Sequence, residues 1–329
     1  MKPNGKATGP RLPAPRFRSN VTSEAPTEES KVAQLIAMME NGSTNRLTAA
    51  QLAGYLRDNR RNAESLLAAF QTTEDKAYLP EALEKFPHDP QVNFTAFFRS
   101  DTPKEKQQRI EALKKAAPDN AMANYLAAQE AFKTGNTDLA VQELMTASGK
   151  NGWQDYSKEF IQSAEDAYRA AGWSEAEAKA MATANLLLPH LSEMKNLGQH
   201  STELAKLYQQ AGDPDSALAI RQAALAMGQH FEAESVGGFL LKSLVGINIQ
   251  SQVLRSMDPA NIYDDSGRTV KDELATLQER RNALKELGKQ LDAIYPTLTE
   301  RDIVSYFDRM KTFGELSATQ WLVNRKKAN

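Results

Sequence analysis

From Lys31 onward apolar residues recur three and four positions apart, separated by charged or amide side chains. That period lines one face of a helix, whereas a half-buried strand needs strict alternation. Val and Ile are sparse, and no Asn-Gly or Asp-Gly turn separates alternating apolar runs, so strand signals are missing. The pattern predicts an all-α chain. Breaks fall at "NGSTNRLTAAQ" (41–51), "FPHDPQ" (86–91), "APDNA" (117–121), "KTGNTD" (133–138), "AAGWSE" (170–175) and "QAGDPD" (210–215). They separate helical stretches of roughly 10 to 16 residues, the ordinary length in globular proteins.

Several breaks carry the chemistry of a helix end. Thr48 stands three before Gln51 and Thr299 three before Asp302, so a hydroxyl can satisfy an orphan N–H while the third residue reaches back. Asp101-Thr102-Pro103 offers a capping side chain followed by a proline in the first turn, where its missing N–H costs nothing. Gly135, Gly172 and Gly212 fall at predicted helix ends, where a left-handed residue closes the last turn.

The spacing of those three glycines is close to that of stacked two-helix units. The segments "AMANYLAAQEAFKTGNTDLAVQELMTA" (121–147) and "GQHSTELAKLYQQAGDPDSALAIRQAAL" (198–225) resemble tetratricopeptide repeats, helix–turn–helix units that stack into a superhelix. In the second, Leu204, Ala205 and Tyr208 match the first-helix pattern, Gly212 and Asp213 the turn, and Ala217 and Ala224 the small residues of the second helix. In the first, Ala128, Gly135, Asp138, Ala140 and Ala147 match, and Pro118-Asp119-Asn120 resembles the closing proline of a preceding unit. Ser201 and Asn124 stand where the family has tryptophan, and Ala131 where it has tyrosine, so the units are degenerate. A third unit around Tyr168 and Gly172 has its second helix one residue out of phase. The expected architecture is antiparallel helix pairs stacked as an irregular solenoid over residues 31–230. Small residues at 205, 217 and 224 allow two helix axes to approach, with Leu204, Tyr208 and Leu218 filling the space beside them.

The last hundred residues change character. "ESVGGFLLKSLVGINIQSQVL" (234–254) is apolar on most of its circumference and calls for burial, in the core or against a second copy or partner. Gly237, Gly238 and Gly246 there permit close helix approach. In 269–295 apolar residues at 270, 274, 277, 284, 287, 291 and 294 form a heptad-like stripe behind a Thr269/Asp272 capping box. Its expected mate is 300–323, through Ile303, Val304, Phe307, Met310, Phe313, Leu316 and Trp321. Residues 231–329 are therefore read as a C-terminal helical subdomain with a helical hairpin, and a dimer through 234–254 or 269–323 is open.

Composition narrows the function classes. A formal net charge of −2 gives no general attraction to nucleic acid. With no cysteine there are no disulfides, thiolate nucleophiles or Cys-ligated metals. No run of about 18 apolar residues occurs, so no membrane span is expected and the chain should be soluble as it stands. Residues 1–30, with Lys2, Lys6, Arg11, Arg16 and Arg18 and repeated prolines, are expected to form a disordered tail, either an ordinary end or a spacer below an upstream anchor. The compartment is left open.

Candidate chemistry is thin. His190 with Glu193 and His200 with Glu203 are spaced three apart, but no further ligands are nominated, so no metal is expected. In "DPANIYDDSGRTVKDE" (258–273) the calcium-loop pattern fails at Ile262, where a carboxylate is required, and the segment reads as a turn. "GGFLLKS" lacks the spacing of a phosphate loop, and no Gly-x-Ser-x-Gly turn occurs. No cofactor and no catalytic residue are assigned.

The sequence therefore predicts a non-catalytic protein-interaction scaffold whose partner is a protein or peptide. By the repeat resemblance its groove is lined by Tyr125, Gln129 and Lys133 from one unit and Thr202, Lys206 and Gln209 from the other. Mostly polar, that set implies a polar or acidic peptide. Two other readings stand beside it: a structural or envelope-associated protein with an upstream anchor, and an enzyme with an unrecognised site between the repeats and the C-terminal subdomain.

Overall fold

The computed structural model describes residues 32, 35, 46–73, 75–233 and 238–328, the last residue of 75–233 by its backbone only. The expected tail at 1–30 and the glycine at 237 lie outside them. The described residues form α1 (Ala49–Asp58), α2 (Ala63–Thr72), α3 (Tyr78–Lys85), α4 (Pro90–Phe97), α5 (Pro103–Ala116), α6 (Ala121–Lys133) and α7 (Thr137–Ser148). There follow α8 (Ser157–Ala170), α9 (Glu175–Ala184), α10 (His190–Gln210), α11 (Pro214–Ala233), α12 (Leu240–Leu254), α13 (Val270–Ile294) and α14 (Glu300–Ala328). The fold is all-α; among the described residues β-type pairing is limited to isolated bridges at Asn120–Gly152 and Ile262–Thr269.

The ends are where the local chemistry puts them. Thr48 and Thr102 close capping boxes at the starts of α1 and α5. Asp302 Oδ2 accepts from the backbone N–H and hydroxyl of Thr299, whose Oγ1 accepts the Asp302 N–H. Gly135, Gly172 and Gly212 have φ of 75°, 91° and 83°, each just past a helix.

Packing sorts the helices into two groups. The hairpin of α6 and α7 packs on the hairpin of α10 and α11, with α6 against α10 and α7 against α11. Helix α12 covers α10 and α11, while α4 and α5 lead into α6. The intervening α8 and α9 turn away: α8 packs on α1 and α2, and α9 on α14. The segment around Tyr168 and Gly172 therefore does not continue the stack from α7 to α10. Ala205, Ala217 and Ala224 are fully buried and Leu204 and Tyr208 pack against the core, but Leu218 is 44% exposed and fills nothing. On an α11 faced by α7, α10 and α12, it lies on a side open to solvent.

The C-terminal stripe does find its mate, since α13 packs on α14. Helix α14 is itself bent double at Gly314 (φ 84°, ψ 161°). Asp302 pairs with Lys326 at 2.7 Å and Tyr306 Oη lies 3.4 Å from Thr319 Oγ1. A straight helix would hold residues 302 and 326 about 36 Å apart, so the arms 300–313 and 315–328 run antiparallel. The bend leaves Phe313 at its tip, 51% exposed, instead of in the expected interface. Lys179 of α9, with Glu165 at 2.9 Å and Asp308 at 2.6 Å, joins the first arm to α8 and α9.

Candidate functional site

The expected groove residues do not share one open surface. Tyr125 and Gln129 are 0% and 1% exposed and Thr202 is 4% exposed. The docking of α10 on α6 buries them. Tyr125 has Trp153 at 5.6 Å and His230 at 6.3 Å between ring centroids, and Gln129 Oε1 lies 3.2 Å from His200 Nδ1. Thr202 donates its hydroxyl to the Gly198 carbonyl. Lys133 is held by Glu130 and Glu193, each at 2.8 Å. Lys206 and Gln209 are exposed, and Gln209 accepts from Arg221. Family position puts all six side chains on one concave face, but here the neighbouring helix and Trp153 cover Tyr125, Gln129 and Thr202, and Lys133, Lys206 and Gln209 stay exposed.

A different concavity lies one step away. A cleft of about 600 Å³ opens between the α5–α6 corner, the linker from α7 to α8, the start of α8, and Lys242 of α12. Asn120 builds its floor. Asn120 Oδ1 accepts from the N–H of Met122, capping α6, and from the N–H of Gln154, while Nδ2 donates to the Gln154 carbonyl at 2.8 Å. Ala121 N–H donates to the Gly152 carbonyl. Gly152 passes so close to the corner that a Cβ there would lie 2.6 Å from the Asp119 carbonyl oxygen. The linker is thus laced to the start of α6 and enters α8 through Tyr156, which has the left-handed φ of 59°.

Behind this wall sits a buried ionic cluster. Asp155 Oδ1 accepts the Ser157 N–H at the start of α8. Asp155 Oδ2 lies 2.6 Å from Lys242 Nζ and 2.9 Å from His190 Nε2, ion-pair distances whose angles are not those of hydrogen bonds. The three residues are 4%, 3% and 1% exposed. Burial pushes the Asp155 carboxyl up, but His190 and then Lys242 act against it, and the net value lies well below the ordinary carboxylate range. The group stays ionised. A carboxylate so held is a poor proton acceptor at neutral pH, and its geometry fastens the linker, α10 and α12 together.

Two buried polar atoms belong to residues of this wall. Ser157 is 2% exposed, and among the described residues its Oγ has no hydrogen-bond partner, nor has Trp153 Nε1. Both residues line the cleft, with Tyr156, Asp119, Lys158 and Glu159. At the corner Lys150 Nζ donates to the Pro118 carbonyl at 2.5 Å and to Asn124 Oδ1 at 2.6 Å.

The histidine pairs considered for metal separate. His190 turns to Asp155 while Glu193 pairs with Lys133, and His200 meets Gln129 while Gln199 binds Glu203. Among the described residues no group of three or more His, Asp or Glu is placed to hold a metal ion. In the 258–273 turn, Arg268 pairs with Asp264 at 2.6 Å and with Glu273 at 2.8 Å. None of the described helices is long and apolar enough to cross a membrane.

The sequence gives little sign of the cleft, because Asp155, His190 and Lys242 belong to separate elements and carry no motif spacing. The one local signal is "PDN" at 118–120, a corner with a capping asparagine. No family model matches the chain, and neither the curated proteins nor the solved structures include a match.

Proposed function

We propose that the protein is a non-catalytic helical scaffold, tetratricopeptide-like in plan, that binds a segment of another polypeptide in the cleft between the α5–α6 corner and the start of α8. One observation carries the reading. The pairs α6/α7 and α10/α11 lie side by side, first helix on first helix and second on second, although α8 and α9 separate them in sequence. Consecutive units of helical repeat arrays pack in this way, and such arrays serve mainly to present binding surfaces. That last step is an analogy of fold. The cleft is the concavity offered to such a segment, about 600 Å³ in volume, with its corner fixed by the bonds between Asn120 and Gln154.

Affinity purification from the native source with mass spectrometry tests the reading. The wild type, the double variant Asp119→Lys/Glu159→Lys and the control Lys206→Glu are compared. Polypeptides retained by the wild type and the control but lost by the double variant are the expected result. Recovery of the same set by all three contradicts the cleft as the binding surface.

A further inference from the structure

We propose that the bent α14 carries a docking surface for an acidic polypeptide segment, whose carboxylates are taken by Arg309 of the first arm and Arg325 of the second. The two side chains converge on one ring. The Arg309 guanidinium carbon lies 4.3 Å and that of Arg325 5.3 Å from the centre of the Trp321 ring, and all three residues are half-buried. None of the three lines the cleft, so this surface is separate from the one proposed above.

Charge around this ring is unbalanced. Two like charges drawn to one ring repel each other, and the carboxylates of α14 are committed elsewhere. Asp302 is held by Lys326 at 2.7 Å and by the N–H and hydroxyl of Thr299, so its contact with Arg325, at 3.5 Å, is shared. Asp308 pairs with Lys179, Glu315 accepts from Leu240, and Glu300 precedes the exposed Arg301 in the first turn. No carboxylate of α9 or α13, which pack on α14, lies within ion-pair distance of either arginine among the described residues. Among those residues Arg309 forms no hydrogen bond and no ion pair.

A guanidinium held over a ring by cation–π attraction keeps its N–H groups, which lie in its own plane, for another partner. A carboxylate matches that fork with two parallel bonds, and its charge relieves the repulsion between the two arginines. Trp and Arg are also the side chains that dominate binding energy at protein interfaces, and the half-buried Trp321 leaves apolar surface beside the charges. A nucleic acid calls for a longer run of cations along its backbone. Here the two guanidiniums gather at one ring, and the chain as a whole carries a net charge of −2. A polypeptide with one or two acidic side chains is the occupant that fits.

The indole N–H signal of Trp321, identified by its loss in Trp321→Phe, reports the event in ¹⁵N-labelled full-length protein at constant ionic strength. The probes are a capped Ala-Glu-Glu-Ala peptide, its Gln-Gln counterpart, inorganic phosphate and a single-stranded thymidine oligonucleotide. The expected result is a saturable Trp321 shift with the glutamate peptide, with binding roughly tenfold weaker or more for the glutamine peptide and weaker also for phosphate and the oligonucleotide. Arg309→Gln should abolish the response, and Arg309→Lys, which keeps the charge but loses the fork, should weaken it, both with the wild-type circular dichroism spectrum. An equal response to the glutamine peptide overturns the charge assignment. Equal or tighter binding of phosphate or the oligonucleotide overturns the polypeptide source. No response to any probe, or an undiminished response in Arg309→Gln, overturns the surface itself and leaves the cleft reading untouched.

Discussion

Gly228 of α11 and Gly246 of α12 meet backbone to backbone: a Cβ on Gly246 would lie 2.6 Å from the Gly228 carbonyl oxygen and 2.9 Å from Phe231 Cβ. The contact sets how closely α12 covers the α10/α11 pair. Neither obstacle can swing aside, because one is backbone and the other is the first carbon of a fully buried ring. Gly246→Ala should therefore destabilise by about 1–3 kcal/mol through overpacking. Among the described residues nothing lies within 4 Å of a Cβ built on Gly288 in α13. There Gly→Ala should stabilise by roughly 0.5–1 kcal/mol through helix propensity. Urea unfolding of the two variants should move the midpoint in opposite directions, and parallel shifts would refute the close contact.

Ala217 and Leu218 are neighbours with opposite environments, 0% and 44% exposed. Ala217→Leu places a branched side chain between α11 and its neighbours and should cost about 1–3 kcal/mol. Leu218→Ala removes a larger side chain yet should stay within roughly 0.5 kcal/mol of wild type. Thermal melts followed by circular dichroism check both, and a larger loss at 218 than at 217 would reverse the assigned faces.

Asp155 is the shared partner of Lys242 and His190. Asp155→Asn leaves Lys242 buried without its counter-charge and should cost about 3–5 kcal/mol, while Asp155→Asn/Lys242→Met should recover part of that loss. The pH dependence has a definite sign. The folded value is depressed, so the stabilisation is fully present above the unfolded carboxylate value of about 3.9 and is lost as pH falls below it toward the folded value. Urea midpoints measured between about pH 6 and pH 2 should fall more steeply for wild type than for Asp155→Asn. Equal slopes would show that the carboxylate is not held by Lys242 and His190.

Glu315, at the turn of α14, accepts the Leu240 N–H at 2.7 Å and so caps α12 from a distant part of the chain. Burial raises its pKa, and the Leu240 N–H only partly opposes the shift. A carboxyl with a raised folded value favours folding when protonated, and it loses that advantage as pH rises from its unfolded value of about 4.3 through the folded one. Glu315→Gln keeps an acceptor without the charge, so at about pH 7 it should be at least as stable as wild type, with the difference shrinking on acidification. Glu315→Ala removes the cap and should cost about 0.5–2 kcal/mol. Denaturant curves at the two pH values separate these outcomes, and a Gln variant as unstable as the Ala variant would rule out the neutral-acceptor account.

Local chemistry was legible in the sequence and long-range packing was not. The caps at Thr48, Thr102 and Thr299 and the left-handed glycines at 135, 172 and 212 depend on a few adjacent residues, so their spacing announces them. Ala205, Ala217 and Ala224 were readable as close-approach points for the same reason. The burial of Tyr125, Gln129 and Thr202 depends on α10 docking on α6, and on Trp153 and His230 closing over Tyr125, none of which alters the helical period. Phe313 fits the apolar stripe of a straight helix, and only the reversal at Gly314 turns it outward. Asp155 and Lys242 could not be paired from sequence, because nothing near either one records the approach of α12 to the start of α8.

The position of a bound polypeptide separates the cleft from the groove expected by repeat resemblance. A photocrosslinking amino acid placed at Lys158, on the cleft wall, and separately at Lys206, an exposed member of the groove expected from sequence, should be irradiated in the native source. Polypeptide adducts are expected from position 158 and none from 206. Adducts from 206 with none from 158 would contradict it.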